Sequence, residues 1–210
     1  MANDTPALIL AGGQSRRMGA GDKPLVDLAG KPLLAHVAGR LTPQAGAIAL
    51  SANGDPTRFA NFGLAVLADT VAGFRGPLAG ILAGMEWALE DPASTRLVTV
   101  AGDTPFYPVD LVDRLADAVR DRPDAIAFAT AGGRNHPVFA LWPLGLVEDL
   151  RAVIEAGSNL KVTDFLARHA VESVDFPLVS TATGDIDPFF NVNTPEDLAL
   201  ARQLAPELAR

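Results

Sequence analysis

Short apolar runs that alternate with helical patterns constrain the fold of this chain more than any other feature. Each run is almost wholly apolar and stops near a glycine or a polar residue; the runs are residues 7–10, 47–50, 64–67 and 97–100. Between them, apolar side chains recur at helical spacing after Lys31-Pro32 and after Gly76-Pro77. Continuous apolar runs are typical of strands that helices cover on both faces. The pattern therefore predicts an α/β fold around a mostly parallel sheet.

The second half of the chain predicts a less regular continuation of this architecture. Helices are predicted over residues 109–119, 144–156 and 161–169, and strands over residues 125–129, 136–142 and 171–176, the last of them at an edge. A further short extended piece is predicted over residues 187–192. The terminal helix should begin at Thr194 as a cap, with Pro195 and two acids in the first turn, where the helix dipole favours negative charge.

Composition limits the function classes to which the chain can belong. Its 210 residues, 49% of them hydrophobic, suit one domain with a substantial core. A net charge of -8 opposes general nucleic-acid binding, which needs a basic surface, and the lack of cysteine excludes disulfides and thiolate metal sites. No secretory signal is evident, and no apolar run approaches the ~20 residues that cross a bilayer. We therefore expect a soluble cytoplasmic protein without a membrane partner.

The first predicted strand runs directly into a glycine-rich stretch, residues 11–19, which contains Gly12, Gly13, Arg17 and Gly19. Glycines let successive backbone N–H groups converge on a phosphate, and an arginine beside them supplies positive charge. The stretch matches neither the P-loop pattern nor the dinucleotide-binding fingerprint. From local sequence alone, a tight strand-to-helix turn explains the glycine pair equally well.

Polar residues follow three other predicted strands near the point where each strand ends. These residues are Asn53, Asp69 and Asp103. Ligands of open parallel sheets bind at the carboxyl ends of the strands, so these side chains and the glycine-rich stretch should share one edge of the sheet.

Asp103 and Lys23 suggest phosphoryl chemistry at that edge. A rigid carboxylate beside a phosphate site suits Mg²⁺, which takes one or two protein carboxylates and completes its shell with water and phosphate oxygens. Lys23 could fold over the same anion, and together these groups suit in-line attack on a nucleoside triphosphate. The alternatives are that Asp103 or Thr104 caps a helix starting at Pro105 and that Lys23 is an ordinary solvated lysine.

The motifs resemble those of nucleotidyltransferases with a Rossmann-like (GT-A-like) three-layer α/β/α fold. The first motif is residues 10–19 followed by Asp22-Lys23. Later motifs occur in the order in which the MobA-like molybdenum cofactor guanylyltransferases have them, and they narrow the resemblance to that family. These motifs are residues 51–53, 69, 76–80, 102–105, 134–137 and 190–196. The resemblance implies transfer of GMP from GTP to the terminal phosphate of Mo-molybdopterin, with Mg²⁺ as the cofactor and pyrophosphate as the second product.

The resemblance also implies roles for individual residues. Asp103, Lys23 and Arg17 would be catalytic, and Asp103 would also hold the metal. The implied nucleotide-binding residues are Leu10, Ala11, Gly12, Gly13, Gly19, Lys23, Asn53, Asp69 and Asp103. Asn191, Asn193 and His136 would lie on the pterin side; loop hydrogen bonds for the two asparagines and a buried structural role for the histidine are the alternatives. Within one domain, about residues 1–130 would bind nucleotide and about 131–210 the pterin.

Two other functions stay open at this stage. A cytidylyltransferase that uses CTP on the same cofactor shares the fold and the loop chemistry, because base choice rests on a few contacts. A regulatory or adaptor protein could bind nucleotide without turnover, although it would not need Lys23, Asp69 and Asp103 together. Besides the substrates GTP and Mo-molybdopterin, the resemblance implies the molybdenum insertase and molybdoenzyme chaperones as partners.

Overall fold

A computed structural model describes residues 4–12, 22–71, 76–157, 161–182 and 184–208, and strands and helices alternate through most of them. The strands are β1 (Ala7–Leu10), β2 (Asp27–Leu28), β3 (Lys31–Pro32), β4 (Ile48–Ser51), β5 (Ala65–Leu67), β6 (Arg96–Ala101), β7 (Ile126–Ala131), β8 (Arg134–Pro143), β9 (Val171–Phe176), β10 (Val179–Thr181) and β11 (Gly184–Ile186). The helices are α1 (Leu33–Leu41), α2 (Pro77–Ala88), α3 (Leu111–Ala118), α4 (Val147–Glu155), α5 (Val162–Leu166) and α6 (Pro195–Leu208). Within the described ranges, no helix is both long and apolar enough to span a bilayer.

A seven-stranded sheet forms the centre of the molecule, in the order β5-β4-β1-β6-β8-β7-β9. The first four strands of this order run parallel to one another. β8 runs antiparallel to both of its neighbours, and β7 pairs in parallel with β9 at the edge. The predicted α/β fold around a mostly parallel sheet is confirmed, and Val171–Phe176 is the edge strand that the sequence predicted.

Helices cover both faces of the sheet, and successive side chains of β1 point to opposite layers. Ala7 and Ile9 belong to the core that includes α1 and α3, whereas Leu8 belongs to the core that includes α2, α4 and α5. α2 lies close to the sheet because Gly84 faces it: a Cβ there would come within 2.6 Å of Leu8 Cδ2. The apolar run of β1 is continuous because neither of its faces meets water.

The terminal helix α6 packs on a third core that includes Leu28 of β2 and Val192. Its first turn is capped reciprocally. The Asp197 carboxylate accepts hydrogen bonds from the backbone N–H groups of Asn193 and Thr194, each at 2.9 Å, and Thr194 Oγ1 accepts one from the Asp197 N–H at 3.1 Å. These bonds satisfy free N–H groups of the helix end, and they fix the chain just before it. The predicted start of the helix is confirmed.

One predicted element is wrong, and two short hairpins and the 3₁₀ helix over Pro56–Phe62 were not predicted. Residues 187–192 form a turn and a loop rather than an extended piece, because Asp187 turns the chain. Its carboxylate accepts from the Phe189 N–H at 2.8 Å, and its carbonyl accepts from the Phe190 N–H at 3.1 Å. The hairpins β2-β3 and β10-β11 escaped prediction because strands of two or three residues are too short to display a period.

Candidate active site

The register of the parallel strands brings four of the candidate site residues to one edge of the sheet. Leu10 pairs with Ser51 and Ala101, and Ser51 pairs with Leu67. Each candidate comes two residues after one of these paired positions; the four are Gly12, Asn53, Asp69 and Asp103. They therefore project from the carboxyl ends of four adjacent strands.

Asp103 is the centre of a hydrogen-bonded cluster at this edge. Lys23 Nζ donates to Asp103 Oδ2 and also to Asn193 Oδ1. Asn191 Nδ2 donates to Asp103 Oδ1 at 2.9 Å, and the Thr104 hydroxyl donates to the same oxygen at 3.3 Å. The Lys23 and Asp103 side chains are only 14% and 22% exposed, so this ion pair is partly shielded from water. Three segments that are distant in sequence thus meet on one carboxylate.

The backbone around Asp103 is fixed on both sides. The Gly102 N–H donates to the Leu10 carbonyl at 2.9 Å, and the Asp103 carbonyl accepts from the Val192 N–H at 2.9 Å. A Cβ at Gly102 would lie 3.2 Å from the Leu10 carbonyl oxygen, so glycine permits this close approach. The alternative that Asp103 or Thr104 caps a helix at Pro105 is wrong, because the next helix begins at Leu111.

Asn53 and Asp69 form a reciprocal pair at the ends of β4 and β5. Asn53 Nδ2 donates to Asp69 Oδ2 at 2.8 Å, while Asn53 Oδ1 accepts from the Asp69 N–H at 3.0 Å. Asn53 is exposed and Asp69 is half-buried, so a ligand can reach the pair from the solvent side. The amide holds the carboxylate in one orientation, with its acceptor oxygens at the sheet edge.

Arg58 is a residue at this edge that sequence reasoning missed. Its guanidinium donates to the carbonyls of Asn53, at 2.6 Å, and Asp55, at 2.9 Å, and to the carboxylate of Asp22. The guanidinium carbon lies 4.9 Å from the centre of the Phe59 ring. The available sequence signal was Asp55, the N-cap of the short 3₁₀ helix that carries the arginine, but nothing in that signal indicates the contact with Asp22.

The structure describes only the first three of the residues predicted to bind nucleotide at the end of β1 and in the glycine-rich stretch after it. Leu10 and Ala11 are half-buried, and the Ala11 N–H donates to the Ser51 carbonyl at 3.0 Å. Gly12 is exposed, and a Cβ there would meet nothing within 4 Å, which leaves room beside the strand end. Gly13, Arg17 and Gly19 lie outside the described residues.

A cleft of about 650 Å³ opens next to the Asp103 cluster. Asn191 and Asn193 line it, so the two asparagines border both the cleft and the cluster. The rest of the lining comes mainly from β8 and from the turn after β11, including Arg134, His136 and Asp187. This volume lies within the range of about 300–1,000 Å³ that small-molecule sites occupy.

His136 is held in the wall of this cleft. Its Nε2 atom lies 3.0 Å from Asp187 Oδ2, and its ring stacks on Phe189 with 4.7 Å between centroids. Burial lowers the pKa of His136; Asp187 opposes this shift, and the positive charge of Arg134 adds to it. The residue is therefore both a partly buried, stacked histidine and a lining residue of the cleft, so the two sequence interpretations are compatible.

The oxygen donors at Asp103 suit an Mg²⁺ ion that is also bound by the phosphates of a nucleotide. Carboxylate and amide oxygens are hard donors, and Asp103 and the side-chain oxygen of Asn193 lie around the same lysine ammonium. In the part of the chain that the structure describes, no three or more histidine, aspartate or glutamate residues cluster as a metal cage. Magnesium at this position would thus need phosphate oxygens and water to complete its octahedron.

Comparison with known proteins gives consistent results. Residues 7–181 match the model of the MobA-like NTP transferase domain. Two curated relatives, from Mesorhizobium japonicum and a Bradyrhizobium species, are both named molybdenum cofactor guanylyltransferase and are both 53% identical to this chain. The alignments cover 97% of both chains for the first and 95% of this chain and 92% of the relative for the second.

Solved structures share the fold. The crystal structure of molybdopterin-guanine dinucleotide biosynthesis protein A from Archaeoglobus fulgidus superimposes with a TM-score of 0.73 over 97% of this chain and 100% of that one. Its sequence identity is 23%, so this likeness concerns the fold alone.

Proposed function

The chain belongs to the family of MobA-like NTP transferase domains, and we propose that within it the chain is a guanylyltransferase that acts on molybdenum cofactor. In this reaction, GMP passes from GTP to the terminal phosphate of Mo-molybdopterin, and pyrophosphate is released. Relatives at 45–53% identity over nearly the whole chain carry the name of this activity. The single observation that carries the proposal is the position of Asp103, between the strand-end residues and the cleft.

We assign the strand-end residues Gly12, Asn53, Asp69 and Asp103 to GTP, and together they would line the GTP pocket. Asn53 and Asp69 would recognise the guanine base, because a carboxylate accepts two hydrogen bonds and guanine offers two adjacent donors, a ring N–H and an amino group. Cytosine offers one such amino donor, so a carboxylate there favours GTP over CTP. Leu10, Ala11 and Gly12 would contact the nucleotide through the backbone, and Gly13, Arg17 and Gly19 remain assigned to its phosphate side.

We assign the cleft to the acceptor, with Asn191, Asn193 and His136 as residues on its side of the site. This assignment makes residues 131–210 the acceptor part of one domain and residues 1–130 the nucleotide part. The acceptor phosphate would enter beside Asn193, within reach of the Lys23 ammonium. No general base is needed, because a phosphate oxygen is already an anionic nucleophile.

The reaction is an in-line displacement at the α-phosphorus of GTP. An oxygen of the acceptor phosphate forms the new P–O bond, while the bond to the pyrophosphate oxygen breaks and pyrophosphate carries away the charge. Lys23 would neutralise charge on the phosphates, and Asn191 would keep the Asp103 carboxylate oriented. Asp103 would hold Mg²⁺, which would supply positive charge to neutralise the triphosphate.

The partners proposed for this activity follow from the lability of the product and acceptor. A cofactor that is unstable in water is better passed between proteins, so the molybdenum insertase and molybdoenzyme chaperones remain proposed partners.

The test is pyrophosphate release by the wild-type protein with GTP, Mg²⁺ and Mo-molybdopterin. We expect release to require all three components. It should fall at least about a hundredfold in Asp103→Asn, because the variant would lose the carboxylate charge that would hold the metal. Urea denaturation of the variant should give a transition like that of the wild type. Pyrophosphate release by the wild type without Mo-molybdopterin, or full activity of a folded Asp103→Asn, would contradict the proposal.

A further inference from the structure

We propose that Arg58 is a positioning residue that clamps the segment carrying Lys23 to the loop carrying Asn53, and so shapes the GTP pocket. Each of its guanidinium nitrogens has a different partner. Nε donates to the Asp55 carbonyl at 2.9 Å, Nη2 to the Asn53 carbonyl at 2.6 Å, and Nη1 to Asp22 Oδ1. Two of these contacts hold the loop after β4, and the third reaches a carboxylate 36 positions earlier in the chain.

The geometry of the clamp requires arginine. A guanidinium is a planar fork with donors in fixed directions, whereas a lysine ammonium is one point on a flexible stem. Arg58 also stands on the ring of Phe59, which is 1% exposed and belongs to a main core of the protein. The Arg58 and Asp22 side chains are 30% and 31% exposed, so their pair is partly shielded rather than fully solvated.

The clamp connects the two sides of the nucleotide pocket. Asp22 immediately precedes Lys23, whose ammonium reaches Asp103. On the other side, the Asn53 backbone is fixed by Arg58 while the Asn53 side chain holds Asp69. Arg58 itself need not touch the nucleotide: it sets the distance between the group that would bind phosphate and the pair that would bind the base.

This inference rests on the proposed function for its kinetic readout, and the key variant is Arg58→Gln. We expect KM for GTP to rise about tenfold, equivalent to about 1.4 kcal/mol, because the pocket would lose its fixed width. KM for the acceptor should rise less than KM for GTP: Lys23 also reaches Asn193 at the cleft, but most of the cleft lining comes from β8 and the turn after β11. Arg120→Gln is the control, because it removes another arginine–aspartate pair, between Asp117 of α3 and Arg120 just after that helix. Both side chains are largely exposed and far from the site in sequence, so both constants should stay unchanged.

Two further variants separate the clamp from charge or stability alone. Arg58→Lys should still show raised KM for GTP, because one ammonium cannot make three divergent contacts. Asp22→Asn should raise it less than Arg58→Gln, and the double variant should resemble Arg58→Gln rather than the product of the two single effects. Full rescue by lysine, independent effects of the two single changes, or a loss of thermal stability with unchanged KM for GTP would each overturn the proposal.

A readout without substrate distinguishes failure of this inference from failure of the proposed function. The Leu25 and Val26 N–H groups bond to the carbonyls of Asp22 and Lys23, at 2.9 and 3.1 Å, and report on this segment. Their hydrogen exchange should accelerate in Arg58→Gln and not in Arg120→Gln. Unchanged exchange in Arg58→Gln would overturn the clamp, even if the wild-type protein releases pyrophosphate. Faster exchange in Arg58→Gln, together with a wild-type protein that releases no pyrophosphate, would support the clamp and contradict only the proposed function.

Discussion

Asn191 offers the sharpest test of how the Asp103 carboxylate is oriented. Its Nδ2 atom donates to Asp103 Oδ1 at 2.9 Å, from a loop 88 positions further along the chain. A carboxylate oxygen can only accept here, so the amide must present its NH₂ group. Replacing Asn191 by alanine removes this donor, and replacing it by aspartate puts a second carboxylate in nearly the same volume.

The expected magnitudes follow from the chemistry of the contact. A hydrogen bond to a charged group contributes about 1.5–3 kcal/mol, and the partial exposure of Asp103 favours the lower end. Asn191→Ala should therefore lower kcat/KM about tenfold. Asn191→Asp adds charge repulsion, which at about 4 Å amounts to between about 1 and 4 kcal/mol in partly solvated surroundings. With about 2 kcal/mol for that repulsion, the total of about 3.5 kcal/mol corresponds to a loss of about 300-fold.

The assay is the initial rate of pyrophosphate release, with GTP and acceptor varied in turn at fixed Mg²⁺. The expected order of activity is wild type, then Asn191→Ala, then Asn191→Asp. An aspartate variant as active as the alanine variant, or more active, would refute the reasoning. It would mean that the position serves the metal through an oxygen rather than Asp103 through an N–H group.

The remaining predictions concern stability and pH. Gly102→Ala should destabilise the protein by about 1–3 kcal/mol in urea denaturation, because its Cβ would crowd a backbone carbonyl at 3.2 Å, whereas Gly145→Ala, with nothing within 4 Å, should not. Asp197→Ala should cost about 1 kcal/mol through the lost helix cap, and an unchanged unfolding midpoint would contradict that role. The lowered pKa of His136 means that the unfolded chain takes up its proton first, so the native state should lose stability as pH falls below about 6.5 despite the nearby Asp187. His136→Gln should reduce that pH dependence, and an identical slope in both proteins would contradict the assignment.

The sequence was sufficient to predict that the polar residues after the strands share one edge of the sheet. Apolar runs of four residues indicated buried parallel strands, and the polar residues just after them had to share one edge. Only the positions of Asn53, Asp69 and Asp103 relative to their strands are needed for this prediction, because the parallel register aligns the ends of those strands.

The contacts between distant segments could not be predicted in the same way. The apolar pattern of β8 does not encode its direction, and it runs antiparallel to both neighbours. Nothing local indicates that Asn191 meets Asp103 or that Arg58 meets Asp22, because both contacts depend on how loops fold over the sheet edge. Residues 187–192 were predicted as extended because their apolar content hid the turn at Asp187.

The most direct test of the central claim is the identity of the nucleotide that is transferred. Wild-type protein would be incubated with Mo-molybdopterin, Mg²⁺ and equal concentrations of GTP and CTP, and the product would be identified by mass spectrometry. We expect the guanine dinucleotide of the cofactor as the main product, and a lower yield of it from Asp69→Asn. A cytosine dinucleotide as the main product, or unmodified cofactor after full incubation, would contradict it.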